Sequence, residues 1–546
     1  MKKITVHQWV IIGILSCSVA FLNIIRVVLG IFQTPKNSVY LAIGHSYLDY
    51  LEYTQQIAQG IYGHTAILNQ FTTHDTTQTL LGWGQYLLIG YVARFFHASP
   101  FFAYWSAVFI FSVIVLSVTF MLIRTILNRQ PFFYQLTAFL FSIFAVPFVT
   151  FSGTLGNLTV KPIEFFYSPI SIFHRIGGVP HHLTTTICIS LCLLLANHIL
   201  HSAKEMKKKW LYPNIVFFIL LCFGVLTFAP LQIFILLSTI CTITFGYAVW
   251  FWVKEKKPDR SVPFFVFLIL IIVTLIPAAL YIQKIHGSQE LFLRAVIWER
   301  TQQYHATLFE LLGTIGPILL FVPFGIRAYF TSVTPLKLLL ITYVGFSYFY
   351  FSTDCAYFFG TFNQRFLTPL SYTFFSITAV LGIQNVTRFF PHKRLLSTGI
   401  ITLYILYFLT ITIIILRSFG GSNELGYMPN DFFTAVRVLN SKNDRKAVLT
   451  SSYNNLGILV PSIVDRNVYL GRIIFTPDYT SKQNISDQFY VGNMNPDDAY
   501  RFLKENNIGY ILVSSMEPYP KENILKYPFI TELYQNSFLT ILQFHE

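Results

Sequence analysis

Charge is what this 546-residue sequence has least of. Asp, Glu, Lys and Arg make up 11% of it, against about 25% in an ordinary soluble domain. So few ionised groups exclude a soluble globular chain. Acids are scarcer than bases, 24 against 38, for a formal net charge of +14. An excess of that sign is one mark of a nucleic-acid partner, but its distribution excludes one. From residue 418 onward there are 11 Lys/Arg and 13 Asp/Glu, a net of −2, and the preceding part holds 27 and 11, a net of +16. The basic residues there gather in the short stretches RTILNR, HSAKEMKKKW, KEKKPDR and RFFPHKR, as the positive-inside rule requires of cytoplasmic loops. Cysteine is sparse as well, six in all. Cys17, Cys188, Cys192, Cys222 and Cys241 lie in apolar runs and Cys355 near a loop. Cys188 and Cys192 share a helical face at a spacing unsuited to a bridge, so the thiols read as small buried hydrophobes. The N-terminal MKK and its apolar run resemble a secretory signal, but no small-residue cleavage site ends the run. A retained signal anchor is expected.

What is abundant is apolar: 54% hydrophobic and 17% aromatic residues. Runs near 8–32, 80–97, 101–123, 131–150, 183–200, 212–230, 232–253, 263–283, 308–329, 336–353, 366–384 and 396–417 each approach the roughly 20 residues of a spanning helix. The chain therefore reads as a polytopic α-helical membrane protein. With the N-terminus in the cytoplasm, twelve full spans would put RTILNR and KEMKKK on the wrong side. The run 80–97 is short and contains Gln85, Arg94 and His97, so it is demoted to a re-entrant or juxtamembrane segment. That leaves 11 spans, with 13 as the rival count, and both place the tail outside.

The outer loops expected from this topology are 33–79, 151–182, 284–307 and 354–365. The first holds His45, Asp49, Glu52, His64, His74 and Asp75, interleaved with Tyr47, Tyr50 and Tyr53. Carboxylates and imidazoles are costly in hydrocarbon and mark sites at its boundary, and the tyrosines suit an amphipathic helix on the bilayer surface. On such a helix Asp49, Glu52 and Tyr53 share one face; a solvated loop with interfacial tyrosines is the plainer alternative. The second loop, KPIEFFYSPISIFHRIGGVPHHL, offers Glu164, His174, Arg175, His181 and His182. Adjacent histidines on a strand point to opposite faces, so at most one of the last pair is expected at a given site. Gly177, Gly178 and Pro180 also suit a helix start. In the third loop Arg294 follows Glu290 by four residues, the spacing of a helical ion pair, or it grips a phosphate. Arg365 stands near the outer end of a span, where it meets a lipid phosphate or anchors the helix.

From residue 418 the composition is that of soluble protein, and 418–546 is expected to be a small extracytoplasmic α/β domain. A helix is expected from Asn430 or Asp431 to about 440, and another from Pro496 after Asn495. AVLTSS, NVYLG and IGYILVSS read as strands, and ITELYQNSFLTILQF as a hairpin turning at Asn536 and Ser537. No Gly-rich phosphate loop, nucleophile elbow or Cys-x-x-Cys occurs in this domain. That points away from chemistry and toward cover or acceptor contacts.

The arrangement resembles the GT-C glycosyltransferases, in particular bacterial relatives of dolichyl-phosphate-mannose-protein mannosyltransferase and of the lipid A aminoarabinose transferase. DYLEY, QIAQGIYG and TTHD are similar to their first outer loop. IEFFYSPISIF with VPHHL, QRFLTPLSY, VYLGRIIFTPDYTSK and IGYILVSSMEPY are similar to segments of uncharacterised relatives. Glu164 and a His pair stand where an Asp is usual. The resemblance implies an inner-membrane enzyme that moves a sugar from a polyprenyl-phosphate donor to a protein, lipid or glycan acceptor. Asp49 becomes the base or acceptor-orienting carboxylate. Glu164 assists it or shares a divalent ion with it, Mg²⁺ or Mn²⁺. His181 contacts the departing phosphate or that ion. Arg294 and Arg365 neutralise the lipid phosphate, with Tyr53 beside them in substrate binding. Two rivals are a transporter, which usually carries internal repeats and mid-membrane acids not seen here, and an inactive membrane scaffold or receptor, which tolerates loss of Asp49.

Overall fold

The structure is a computed structural model that describes residues 5–44, 46–74, 78–79, 84–152, 159–163, 165, 172–206, 208–288, 290–418 and 426–546. The chain divides into two compact units. One comprises Met1–Asn23, Val108–Gly287 and Val296–Phe419, the other Ile24–Ala107, Ser288–Ala295 and Gly420–Glu546. The tail thus clusters with the first polar loop and a short piece near residue 290, rather than standing alone from 418.

Among the described residues, seven helices are long and apolar enough to cross a membrane: Val6–Phe32, Pro100–Ile126, Pro180–Lys204, Leu211–Phe228, Gln232–Lys254, Pro258–Ile285 and Lys393–Ile414. Leu308–Ile315 and Pro317–Phe330 make an eighth if counted as one broken span, bent by 92°. Phe132–Phe144 and Pro335–Phe351 are further apolar helices of shorter length. The run 131–150 yields a helix only over Phe132–Phe144, and a strand, Val149–Ser152, follows. Arg175 explains that stop. Its guanidinium donates to the carbonyls of Ser142 and Ala145 and lies 3.5 Å from the Tyr372 ring centroid, so the last helical carbonyls are met by a cation rather than by another turn. The bend at 316 has a steric cause. Gly316 takes φ 78° and packs on the Val146 carbonyl where a side chain has no room. The next helix, before the bend, opens on a reciprocal cap in which Glu310 N donates to Thr307 Oγ1 at 3.2 Å and Thr307 N to Glu310 Oε2 at 2.8 Å.

In the other unit, helix Tyr47–Tyr62 packs on helix Gly84–Phe95. The second is 12 residues long, about 18 Å, too short to cross the hydrocarbon. Gly60 and Gly90 meet backbone to backbone at the crossing, and a Cβ on either would sit within 2.3 Å of a carbonyl oxygen of the other helix. Strand Ser38–Tyr40 pairs antiparallel with Tyr427–Pro429. The four-stranded sheet runs in the order Ala447–Leu449, Ile508–Ser514, Leu539–Phe544, Ile530–Gln535, with the first pair parallel and the others antiparallel. Asn430–Val438 and Pro496–Glu505 are helices, the latter capped by Asn495 Oδ1 accepting from Asp498 N at 2.8 Å. The expected strand at NVYLG is reduced to one bridge, Val468 to Val448. Helix Tyr479–Val491 had no expectation attached to it. Its face packs Phe489 and Tyr490 into the core with Phe502, Leu503 and Ile511.

Candidate active site

The first polar loop does not lie as a half-solvated helix. In Tyr47–Tyr62, Tyr50, Leu51, Glu52 and every residue from Thr54 to Gly60 are buried. The reason is that a second surface covers the face expected to meet water. Thr54 Oγ1 lies 3.1 Å from Ser462 Oγ, Ser462 donates to Leu51 O at 3.2 Å, and Tyr62 to Ile463 O at 2.5 Å. Two of the helix's glutamines are satisfied internally. Gln59 exchanges two hydrogen bonds with the Leu68 backbone, and Gln55 and Gln59 both donate to Gln70.

Asp49 stands in the first turn of this helix, with its side chain 35% exposed. Glu52, three residues on, is buried, and Arg472 donates to both carboxylates, one guanidinium nitrogen to each. The helical spacing puts the two acids on one face, and the planar fork of the guanidinium matches two acceptors. Gln56 Nε2 adds a donor to Glu52 at 3.3 Å. Burial pulls the pKa of Arg472 down and the Asp49 charge opposes it. The expectation that Glu52 belongs to a solvated face is therefore corrected: it is the more deeply buried of the two acids and shares the counter-ion of Asp49.

Arg472 is held by a tight turn. Phe475 N and Thr476 N donate to Arg472 O at 2.9 and 2.8 Å, and Thr476 Oγ1 takes the Gly471 N–H and donates to Phe71 O. Arg294 tethers the same turn, donating to Thr476 O at 2.6 Å with Asp478 3.7 Å away. Arg472 was missed as a site residue. It occurs within VYLGRIIFTPDYTSK, yet nothing in the sequence joins position 472 to position 49.

The other candidates fall as follows. Tyr53 stacks on Tyr86 with centroids 4.7 Å apart and planes 5° from parallel, and Tyr104 is 6.4 Å from Tyr53. His64 Nε2 lies 2.8 Å from the Asp465 carboxylate, His74 is exposed, and His45, Asp75 and Glu164 lie outside the described residues. In the other unit, Arg365 pairs with Glu299 at 2.6 Å, and Thr361 donates to the second oxygen of Glu299 at 2.7 Å. His181 and His182 sit in the first turn of a helix that starts at Pro180, not on a strand. Their ring centroids are 4.2 Å apart, and His182 Nδ1 is 3.0 Å from His174 Nδ1.

The ion expected between Asp49 and Glu164 has one of its ligands outside the described residues. Among the described residues no group of three or more His, Cys, Asp or Glu is placed to hold one. Arg472 meets one carboxylate oxygen of Asp49 and one of Glu52, and Gln56 meets the other oxygen of Glu52. What the arrangement can do is hold the partly exposed Asp49 side chain in place beside a cation.

No family model and no curated protein sequence matches this chain. Solved structures match by fold. The oligosaccharyltransferase of Archaeoglobus fulgidus in its apo form aligns at TM-score 0.50 and 12% identity, over 92% of this chain and 69% of that one. The arabinofuranosyltransferase AftD from mycobacteria aligns at TM-score 0.51 and 11% identity, over 100% of this chain and 40% of that one. ArnT from Cupriavidus metallidurans bound to undecaprenyl phosphate aligns over 98% of both chains at 10% identity and a TM-score of 0.45. The chain shares its fold with the Archaeoglobus oligosaccharyltransferase and with AftD. The protein is a multi-pass membrane protein with a small C-terminal sheet domain.

Proposed function

We propose that the protein transfers a sugar from a polyprenyl-phosphate donor to an acceptor at the outer face of the plasma (inner) membrane, with Asp49 as its acceptor-side carboxylate. The observation that carries this reading is the placement of Asp49 at a helix N-terminal turn, held by a buried Arg472 that also neutralises Glu52. A carboxylate fixed in this way can accept a hydrogen bond from an acceptor hydroxyl or amine and take its proton during attack. The acceptor atom bonds to the anomeric carbon, and the bond from that carbon to the phosphate oxygen breaks. The electron pair leaves with the lipid phosphate, and the proton ends on Asp49. Arg472 and Glu52 act as positioning residues, and Arg294 holds the turn that carries Arg472.

The polyprenyl-phosphate donor rests on the sequence resemblance. So do the role of Glu164 in assisting Asp49 or sharing an ion with it, those of His181 and Arg365 at the phosphate, and the substrate contact of Tyr53. One of the archaeal oligosaccharyltransferase structures was solved with Zn and sulfate; in this chain Arg472 meets one oxygen of Asp49 and one of Glu52, and a divalent ion shared by Asp49 and Glu164 rests on the sequence resemblance. The cytoplasmic N-terminus and the extracytoplasmic tail follow from the basic loops. A reporter active only in the cytoplasm, fused after residue 546, should stay silent, and activity there would reverse the orientation.

The test of function is transfer from a polyprenyl-phosphate sugar to membrane acceptors at equal amounts of folded protein. Asp49→Asn keeps the shape and one hydrogen bond but loses the basic charge, so transfer should fall by roughly 10²-fold or more. Glu52→Gln should lower stability and reduce transfer less. Full transfer by Asp49→Asn would remove this carboxylate from the mechanism.

A further inference from the structure

Helix Gly84–Phe95 has two unlike faces. Tyr86, Leu87, Ile89, Gly90 and Ala93 are buried, with Tyr86 stacked on Tyr53 and Gly90 against Gly60 of helix Tyr47–Tyr62. The other face carries Leu88, Val92 and Phe95, which the helical repeat sets in one stripe, and Phe96 extends it. All four are exposed, Phe95 by 79% and Phe96 by 69%. A single exposed apolar side chain is ordinary, but a contiguous row of large ones marks a surface that another body covers.

The chain itself points to the covering body. Soon after Phe95 the spanning helix Pro100–Ile126 begins, and Phe102 in its first turn is exposed as well. The link between the two helices is a fixed corner. His97 takes φ 53°, Ala98 N donates to Ala93 O at 2.9 Å and His97 N to Arg94 O at 3.2 Å, the paired bonds of a Schellman turn. The stripe thus runs on into a helix face that meets lipid. Its rim is basic. Arg94 Nη1 lies over the end of helix Tyr47–Tyr62, where a Cβ on Gly63 would sit 2.5 Å from it, and Arg437 faces the adjoining Tyr62 phenol. Both arginines are exposed. The acid at that end, Asp465, accepts from Gln70 at 2.8 Å and lies 2.8 Å from His64. A short helix with aromatic and aliphatic residues on one side and arginine at its edge suits the headgroup boundary, with its apolar face about 5–10 Å deep.

We propose that helix Gly84–Phe95 is seated in one leaflet of the bilayer, with Leu88, Val92, Phe95 and Phe96 among acyl chains and Arg94 and Arg437 at the phosphates of anionic phospholipid. The seat itself is independent of the chemistry; that it sets the depth of Asp49, through the helix packed on it, rests on the glycosyltransferase reading. The first arm of the test uses the full chain with its six cysteines replaced by alanine and a nitroxide placed at Val92 or Phe95, in phosphatidylcholine nanodiscs. Oxygen, which concentrates in hydrocarbon, should relax both labels more than a water-soluble nickel chelate does. The reverse order overturns the seat, and so do labels shielded from both reagents, since these would be covered by protein. The second arm keeps the native cysteines, so it stands if the cysteine-free chain does not fold. Native mass spectrometry of protein released from mixed phosphatidylcholine and phosphatidylglycerol nanodiscs should show phosphatidylglycerol retained in preference. Arg94→Gln and Arg437→Gln should each cut that preference about fivefold. An unchanged preference in the double variant overturns the phosphate contact. Neither arm reads sugar transfer, so full transfer by Asp49→Asn would defeat the catalytic reading and leave both results standing.

Discussion

Replacing Arg472 with Met removes the cation and keeps much of the side-chain volume, so it isolates the charge at the candidate active site. In the wild type the guanidinium compensates two carboxylates one helical turn apart, Glu52 buried and Asp49 35% exposed. Breaking a buried ion pair by removing one partner costs about 3–5 kcal/mol, because the charge left behind is uncompensated. Here water can reach Asp49, so most of the penalty falls on Glu52. Two like charges at this spacing add a few tenths of a kcal/mol. The expected loss is therefore near the lower end, about 3 kcal/mol. For a unit of this size 1 kcal/mol shifts the melting temperature by roughly 2–4 °C, which gives a drop of about 6–12 °C. The assay is thermal unfolding in one detergent for four proteins: wild type, Arg472→Met, Glu52→Gln and the double variant. Glu52→Gln leaves Arg472 paired with Asp49 and should cost less. In the double variant the buried charge has gone with its counter-ion, so much of the Arg472→Met loss should return, with a coupling of at least 1 kcal/mol, on the order seen between contacting residues. Additive losses, or an Arg472→Met protein within 1 °C of wild type, would refute the shared ion pair.

Further outcomes follow from other contacts. Gly60→Leu should destabilise by roughly 1–3 kcal/mol or more through overpacking, because its Cβ would meet the backbone of Gly90 and Leu87. A matched substitution at Gly63, where φ is +92°, would act by backbone strain instead, so exposure of cysteines placed in Gly84–Phe95 should rise only for the Gly60 variant. Glu517 is pushed up to about 7 by burial, against hydrogen bonds from Asn454 and the Ser514 segment. The folded state thus holds this proton more tightly than the unfolded chain. Its contribution to stability is complete below about pH 4.5 and is lost as pH rises through about 7. Glu517→Gln should match the wild type at pH 4.5 and exceed it above pH 7 by up to about 3 kcal/mol. A constant difference in melting temperature across that range would show that the carboxyl is not buried as described.

Local rules determined much of this protein. Low charge and long apolar runs were enough for a multi-pass membrane protein, because burying ionised groups in hydrocarbon is so costly that their absence is itself the signal. Asn495 and Pro496 fixed a helix start, and the alternating ITELYQ and LTILQF fixed a hairpin, because capping and strand periodicity act within a few residues. Asp49 and Glu52 could be placed on one face from spacing alone. What no local rule contains is the partner. Arg472 lies 423 positions from Asp49, and only the packing of the 471–478 turn on Asn69–Phe71 brings it there. A separate tertiary contact, at Ser462 and Ile463, buried a helix whose pattern suits a membrane surface, because a polar face is equally at home against water and against another protein surface that supplies its hydrogen bonds. Span number was decided the same way. Hydropathy records how apolar a run is, but whether it continues as helix rests on backbone groups such as the Ser142 and Ala145 carbonyls, which Arg175 reaches from 30 residues away.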